Sequence, residues 1–199
     1  VRVLGNRDET GSVAVIGAVS PSGGDLNEPV TQHTMRYVGA FWALDKDLAF
    51  KRHFPAINWL KSFSKYVEEL KYWWIENTGY DMLEYRERAM EILQKASSLE
   101  EVARVVGEAA LSDENRLILL AAEMIREGFL VQNAYHEVDT YCSPEKQALL
   151  LKTLVEFYDR VKPLIDAGVP ISSIREMSSV GLLMRLKFVP EDRFEEALK

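Results

Sequence analysis

Cysteine is almost absent: the chain has 199 residues and a single one, Cys142. That excludes an intrachain disulfide framework and fits a reducing compartment. Histidine is nearly as scarce. His33, His53 and His136 are scattered, and with one cysteine they fall short of a zinc ligand set. No Ser-His-Asp or Cys-His arrangement stands out, and the pair His136 and Cys142 alone makes neither a metal site nor a triad. Positive charge is in deficit, 24 Lys and Arg against 31 Asp and Glu for a net charge of -7. That balance argues against nucleic acid, which requires a clustered basic face. No apolar run approaches the ~18–20 residues needed to span a bilayer. Val1-Arg2-Val3 starts no basic-then-apolar leader, so the expectation is against secretion. The phosphate loop Gly-x-x-x-x-Gly-Lys-Ser/Thr and the dinucleotide fingerprint are both absent.

What is present is enough for a core. Hydrophobic residues make up 47% and charged residues 28%, which fits one domain, or one plus part of another. Residues 1–30 have a β-rich texture. The β-branched run Gly11-Ser12-Val13-Ala14-Val15-Ile16-Gly17-Ala18-Val19 reads as one buried strand. Ser20-Pro21-Ser22-Gly23-Gly24-Asp25 follows as a turn; its glycines lack the spacing and the lysine of a phosphate cradle. No second convincing strand follows for a long stretch, and a lone strand leaves its backbone groups unpaired. The reading is that Val1 enters partway through an α/β layer whose other strands lie outside this chain.

From Thr31 onward the texture is helical. Thr31 is expected to cap a helix through about Leu48, with an apolar stripe of Met35, Val38, Phe41, Trp42 and Leu44. A second helix is expected from about Leu60 to Glu76, ended by Asn77-Thr78-Gly79. A third covers about Asp81 to Lys95, and a short one restarts at Ser97 and ends at Gly107. Ser112-Asp113-Glu114 opens the next, with acidic residues at the positive end of the helix dipole and Gly128 as its stop. Ser143-Pro144-Glu145 opens a long helix to about Ala167, a capping serine before proline at the first helical position. A short helix over Ser172–Met177 and a start at Pro190-Glu191-Asp192 complete the tail. The fold class is mainly α: an antiparallel helical bundle attached to the end of an α/β layer.

Composition and spacing by themselves assign no activity. Glu84 with Arg88, and Glu87 with Glu91, sit at helical spacing on faces expected to be solvated. Phe41-Trp42 and Trp73-Trp74 form aromatic stripes that read as core before they read as a ligand cage.

One segment is far more specific. Phe54-Pro55-Ala56-Ile57-Asn58-Trp59-Leu60-Lys61-Ser62-Phe63-Ser64 resembles the signature of rotary ATPase nucleotide-binding subunits. Pro55, Ala56, Ile57, Asn58, Ser62 and Ser64 carry the match. Gly17 to Asp25, Glu28-Pro29-Val30-Thr31 and Phe41-Trp42-Ala43-Leu44-Asp45 are similar to the catalytic A subunits of archaeal and vacuolar-type enzymes. Asn133 to Cys142 continues that similarity in the same order, and it covers nearly the whole chain.

The resemblance implies the C-terminal part of such a catalytic chain. Residues 1–66 would end a P-loop α/β nucleotide-binding domain, and residues 67–199 would form the helical bundle domain. ATP or ADP with Mg²⁺ would bind the intact subunit, while the phosphate loop, catalytic glutamate and Mg²⁺-binding aspartate would lie upstream. The fragment alone is then expected to be inactive and to carry neither catalytic nor metal-binding residues. Phe54 would stack on adenine, a flat and weakly polar surface; a core phenylalanine held by Pro55 is the other reading. Gln132, Asn133, Ala134 and Tyr135 would form the opposite wall, with the two amides able to read exocyclic nitrogens or simply to cap a helix end. Lys65 stands where related non-catalytic subunits carry an arginine finger, a fork that Lys does not reproduce. This chain would therefore receive that finger from a companion B subunit in an alternating hexamer. Glu108, Ser112, Asp113 and Glu114 would sit at the tip that touches the central stalk and couples nucleotide state to rotation and ion transport. The location implied is cytoplasmic, peripheral to the membrane. The alternative is a stand-alone helical docking module for stalk or regulatory subunits.

Overall fold

The computed structural model describes residues 2–4 and 9–198. The chain forms two compact units, one ending at Gly39 and the other starting at Ala40.

In the first unit, β1 (Arg2–Leu4) pairs antiparallel with β2 (Glu9–Gly11), with Val3 opposite Thr10. The expected strand over residues 11–19 is not there. Beyond Gly11 the run joins no ladder, and Val13, Val15 and Ile16 are 92%, 90% and 88% exposed. Their β-preference is a preference for a half-buried pleated surface, and among the described residues nothing supplies one. Gly23 and Gly24 turn the chain at φ 66° and 75°, a left-handed backbone that glycine adopts without strain.

Helix α1 (Pro29–Tyr37) starts earlier and stops much sooner than the sequence implied. Its cap is Glu28, whose carboxylate accepts from the Thr31 backbone at 3.0 Å and hydroxyl at 2.9 Å. Thr31 is the third helical residue, behind a proline already shaped for the first turn. The stripe that mimicked one long helix is divided at Val38, which leaves α1 with extended backbone.

The second unit opens with a small hairpin-like layer. Strand β3 (Ala40–Phe41) pairs antiparallel with β4 (Phe63–Ser64), and Phe41 stacks on Phe63 at 5.9 Å. Between them lies the short helix α2 (Lys46–Phe50), capped by the Asp45 carboxylate. The expected helix over residues 60–76 is replaced by β4, turns and then α3 (Lys71–Thr78), which ends at Gly79 with φ 76°.

The bundle follows. Helix α4 (Met82–Val106) is one continuous helix of 25 residues, capped by Asp81, where two were expected. Ser97 and Ser98 carry only a small helix-propensity cost. Ala96, completely buried between them and the preceding turn, keeps the helix packed against its neighbours. Ser112 caps α5 (Asp113–Ile125), which runs into a wide π-type turn at Arg126–Leu130 and continues past the expected stop at Gly128. Gly128 is buried there, 3.3 Å in Cβ terms from Leu154, so the glycine serves close packing rather than termination.

Ser143 and Pro144 open α6 (Pro144–Asp166) as the sequence reads. Helices α7 (Ile171–Arg175) and α8 (Ser178–Arg185), a tight turn at Leu186–Phe188, and α9 (Glu191–Ala197) close the chain. Helix α8 has no counterpart in the sequence reading; no side chain caps its start. The core is the α4–α5–α6 seam, where Ala96, Leu117, Leu120, Met124, Leu154 and Val155 are all 1% exposed or less. Arg88 crosses from α4 to pair with Asp159 on α6, instead of pairing along its own helix.

Candidate functional site

The signature segment folds by directional hydrogen bonds. The Asn58 side chain donates to the Asp45 carboxylate at 2.8 Å and accepts from the backbones of Leu60 and Lys61 at 3.0 and 3.1 Å. Ser62 donates to the Asn58 carbonyl at 2.6 Å and accepts from the Ala43 backbone at 3.0 Å. The Asn58 hydrogen bond is the main reason the Asp45 carboxyl lies below the usual carboxylate range. Two of the signature's polar residues therefore fix a loop and leave Phe54 and Pro55 to face outward, beside the buried His53. Phe54 is 52% exposed, which argues against a buried core residue, and the Phe54–Pro55 peptide is cis.

The second segment meets the first. The Gln132 backbone N–H donates to the Phe54 carbonyl at 2.8 Å, so both predicted walls are brought together. Gln132, Asn133, Ala134 and Tyr135 are exposed, Tyr135 almost completely at 99%. Asn133 forms a turn in which its side-chain oxygen accepts from the Tyr135 backbone at 3.0 Å. Its own N–H donates to the buried Asp139 carboxylate at 2.7 Å. Thr140 donates to the Ala134 carbonyl at 2.9 Å. His136 Nδ1 accepts from the Val138 and Asp139 backbones at 3.1 and 3.3 Å, so this histidine holds a turn.

Three buried polar residues beneath these loops escaped the sequence reading. His53, 8% exposed, lies 5.4 Å from the Trp59 ring, and burial pushes its imidazole pKa down. Lys187 is 6% exposed and donates to the Glu127 and Val131 carbonyls at 2.7 and 2.6 Å. Lys146, 4% exposed, donates to the Lys187 and Val189 carbonyls at 2.9 and 2.7 Å. The one available signal was a lysine set within the apolar run Leu186-Lys187-Phe188-Val189.

The aromatic stripes divide. Trp74 packs on the bundle core, whereas Trp42 is 66% exposed, so residues 41–42 are not a core stripe throughout. Burial raises the Cys142 thiol pKa, which works against a thiolate at neutral pH.

At the tip, Ser112 is the α5 cap, accepting from the Asn115 backbone. Asp113 accepts from the Ile171 backbone at 3.2 Å and pairs with Arg116. Glu108 pairs with Arg175, which also reaches Glu123 at 2.6 Å. Glu114 is exposed, as are Val102, Val105 and Val106 at the end of α4. Among the described residues, no three His, Cys, Asp or Glu side chains gather as a metal site. No helix among them is long and apolar enough to cross a membrane.

Residues 71–175, just over half of the chain, match the family model described as the C-terminal domain of V and A type ATP synthase. The chain belongs to the V- and A-type ATP synthase family. Residues 2–64 also match the nucleotide-binding domain of the ATP synthase alpha/beta family. Among curated relatives, the A subunit of the A-type ATP synthase of Methanopyrus kandleri is 52% identical over 196 residues, covering 98% of this chain and 33% of the relative. Its counterpart in Thermofilum pendens is 51% identical over 199 residues, covering 100% and 33%. The V- and A-type chain described here thus spans about a third of the length of these relatives. A solved ATP synthase subunit, NeqB from Nanoarcheaum equitans, resembles it with a TM-score of 0.55 at 25% identity. That likeness covers 68% of this chain and 33% of the other.

Proposed function

We propose that this chain supplies the C-terminal part of the catalytic A subunit of a rotary ATPase or ATP synthase, with two duties. Phe54 and the Gln132-Asn133-Ala134-Tyr135 loop form the adenine side of the ATP site. The helical domain, residues 67–199 after the nucleotide-binding remnant 1–66, works as the lever that couples ATP synthesis or hydrolysis to rotation and ion transport. The observation that carries the first duty is the hydrogen bond from Gln132 to the Phe54 carbonyl. It sets an exposed aromatic ring beside exposed amides, the combination that a purine face and its exocyclic nitrogens require.

ATP and Mg²⁺ would be held by the complete catalytic chain where it meets a B subunit, in an alternating cytoplasmic hexamer. Lys65 in place of an arginine fits the receiving side of that interface. Mg²⁺, when bound, supplies charge neutralisation on the phosphates. The described residues gather no ligand set for it, and no phosphate loop occurs in the sequence. The isolated 199-residue chain is accordingly expected to give no Mg²⁺-dependent ATP turnover, and measurable turnover by the purified chain would refute that.

At the tip, Glu114 with Val102, Val105 and Val106 would meet the central stalk; their exposure supports that reading. Glu108, Ser112 and Asp113 shape that surface through their internal bonds.

The test of the nucleotide reading is Phe54→Ala in the complete catalytic chain. A lost stacking platform is worth roughly 1–3 kcal/mol, so ATP affinity should fall by about fivefold to a hundredfold. Guanidine unfolding should barely change, because the ring is half exposed. Unchanged ATP affinity with lost stability would return Phe54 to a packing role.

A further inference from the structure

Beneath the two loops lies a polar assembly built on two nearly buried lysines, Lys146 and Lys187. Helix α5 ends in the wide π-type turn Arg126–Leu130, where Val131 N–H donates back to the Arg126 carbonyl at 2.8 Å. Terminal carbonyls of a helix have no backbone partner and need a donor from elsewhere. Here the donor is Lys187, arriving from the turn after α8. Its ammonium takes both the Glu127 and Val131 carbonyls, at 2.7 and 2.6 Å. A cation is well placed at the negative end of a helix. Lys146 fixes the turn that carries Lys187 by donating to the Lys187 carbonyl at 2.9 Å.

Val131 is the residue immediately before Gln132, whose N–H binds the Phe54 carbonyl. Asp139, which accepts from Asn133, is also close enough to favour the charged form of Lys187 against its burial. The Lys187 bond to the Val131 carbonyl fixes the residue before the one whose N–H meets the Phe54 carbonyl. One ammonium is thus linked directly to the start of the Gln132 wall and, through the Gln132 N–H, to the Phe54 carbonyl. A nearly buried lysine costs desolvation free energy. An apolar residue there would avoid that cost but would leave the Glu127 and Val131 carbonyls without their donor, so the charge is kept for what those carbonyls position.

Resting on the adenine-pocket reading above, we infer that Lys187 is a positioning residue for nucleotide recognition. It holds Val131 and, with Asp139, sets where the Gln132 and Asn133 amides stand relative to the Phe54 ring. It touches no nucleotide itself. Its effect is on base discrimination, not on grip of the phosphates.

The experiment is Lys187→Met in the complete catalytic chain within its assembled head, titrated with Mg²⁺ complexes of ATP, GTP and inorganic tripolyphosphate. Misplaced amides should lower ATP affinity about tenfold and the ATP-to-GTP affinity ratio about fivefold, leaving tripolyphosphate affinity within about twofold of the unaltered protein. The unfolding midpoint should fall too, but a purely structural lysine would leave the ATP-to-GTP ratio unchanged, and that result overturns the inference. Asp139→Asn keeps the shape and removes the charge, and should shift the ratio in the same direction by a smaller factor. It carries the test should Lys187→Met not fold. If neither variant folds, the pair serves the bundle as a whole and the positioning role is refuted. Phe54→Ala separates the two proposals. If it leaves ATP affinity intact, the pocket reading fails, whatever Lys187 does. If it weakens ATP while Lys187→Met leaves the ratio alone, only the positioning inference fails.

Discussion

The helical bundle and the signature segment are held by different forces. In the bundle, the α4–α5–α6 seam is apolar, and residues such as Ala96, Ala122, Leu117 and Met124 have no exposed surface at all. Burial of this kind is non-directional, proportional to area and tolerant of swaps that conserve volume. The segment from Ala40 to Ser64 buries little; Leu44, Phe50 and Phe54 are 82%, 82% and 52% exposed. It keeps its shape through the Asp45–Asn58–Ser62 hydrogen bonds, each with a defined direction. Apolar packing stabilises the bundle, whereas hydrogen bonds set the position of a ring and two amides. A substitution's effect therefore depends on which region it enters.

The largest contrast should come from Leu120→Ala. Leu120 is 1% exposed at the centre of α5, and large-to-small changes in such positions cost roughly 2–5 kcal/mol, through lost transfer free energy and a residual cavity. Guanidine unfolding of this chain should show a lower midpoint with little change in slope. A cost under about 1 kcal/mol would mean that the seam collapses around the gap and that packing is not what distinguishes the bundle.

Much of the bundle was legible because its signals are local. Ser112, Ser143-Pro144 and Pro190 start helices through bonds reaching only a few residues ahead, and each start stands where it was read. The segment was less legible for the opposite reason. Met35, Val38, Phe41, Trp42 and Leu44 have helical spacing, yet β3 pairs with Phe63–Ser64, a partner that periodicity does not disclose. The strand expected over residues 11–19 failed similarly: β-propensity acts through neighbours, and the described residues hold none for this run. At the candidate site, Phe54 and the Gln132 loop came from resemblance rather than from spacing, because what joins them is a backbone hydrogen bond any residue types could make. For Lys187 the sequence offered only its place in an apolar run, because its burial depends on carbonyls 56 and 60 residues away.

The smaller and more discriminating test is Asn58→Ala. It removes the donor to Asp45 and the acceptor for Leu60 and Lys61, so the cost should be about 1–2 kcal/mol, below that of Leu120→Ala. Its pH dependence separates a hydrogen-bonded segment from a packed one. The Asn58 hydrogen bond is the largest cause holding the Asp45 carboxyl below its ordinary range. A carboxyl depressed in the folded state adds stability that is complete above its unfolded pKa and disappears as pH falls through the folded one. The stability of the unaltered chain should therefore decline through the acid range. Asn58→Ala, with less depression to lose, should decline less. The gap between the two, measured by guanidine unfolding, should narrow as pH drops below the ordinary carboxylate range, whereas the gap for Leu120→Ala should stay constant. A constant gap for Asn58→Ala would show that its side chain acts through packing, and the contrast between the two regions would fail at the segment meant to define it.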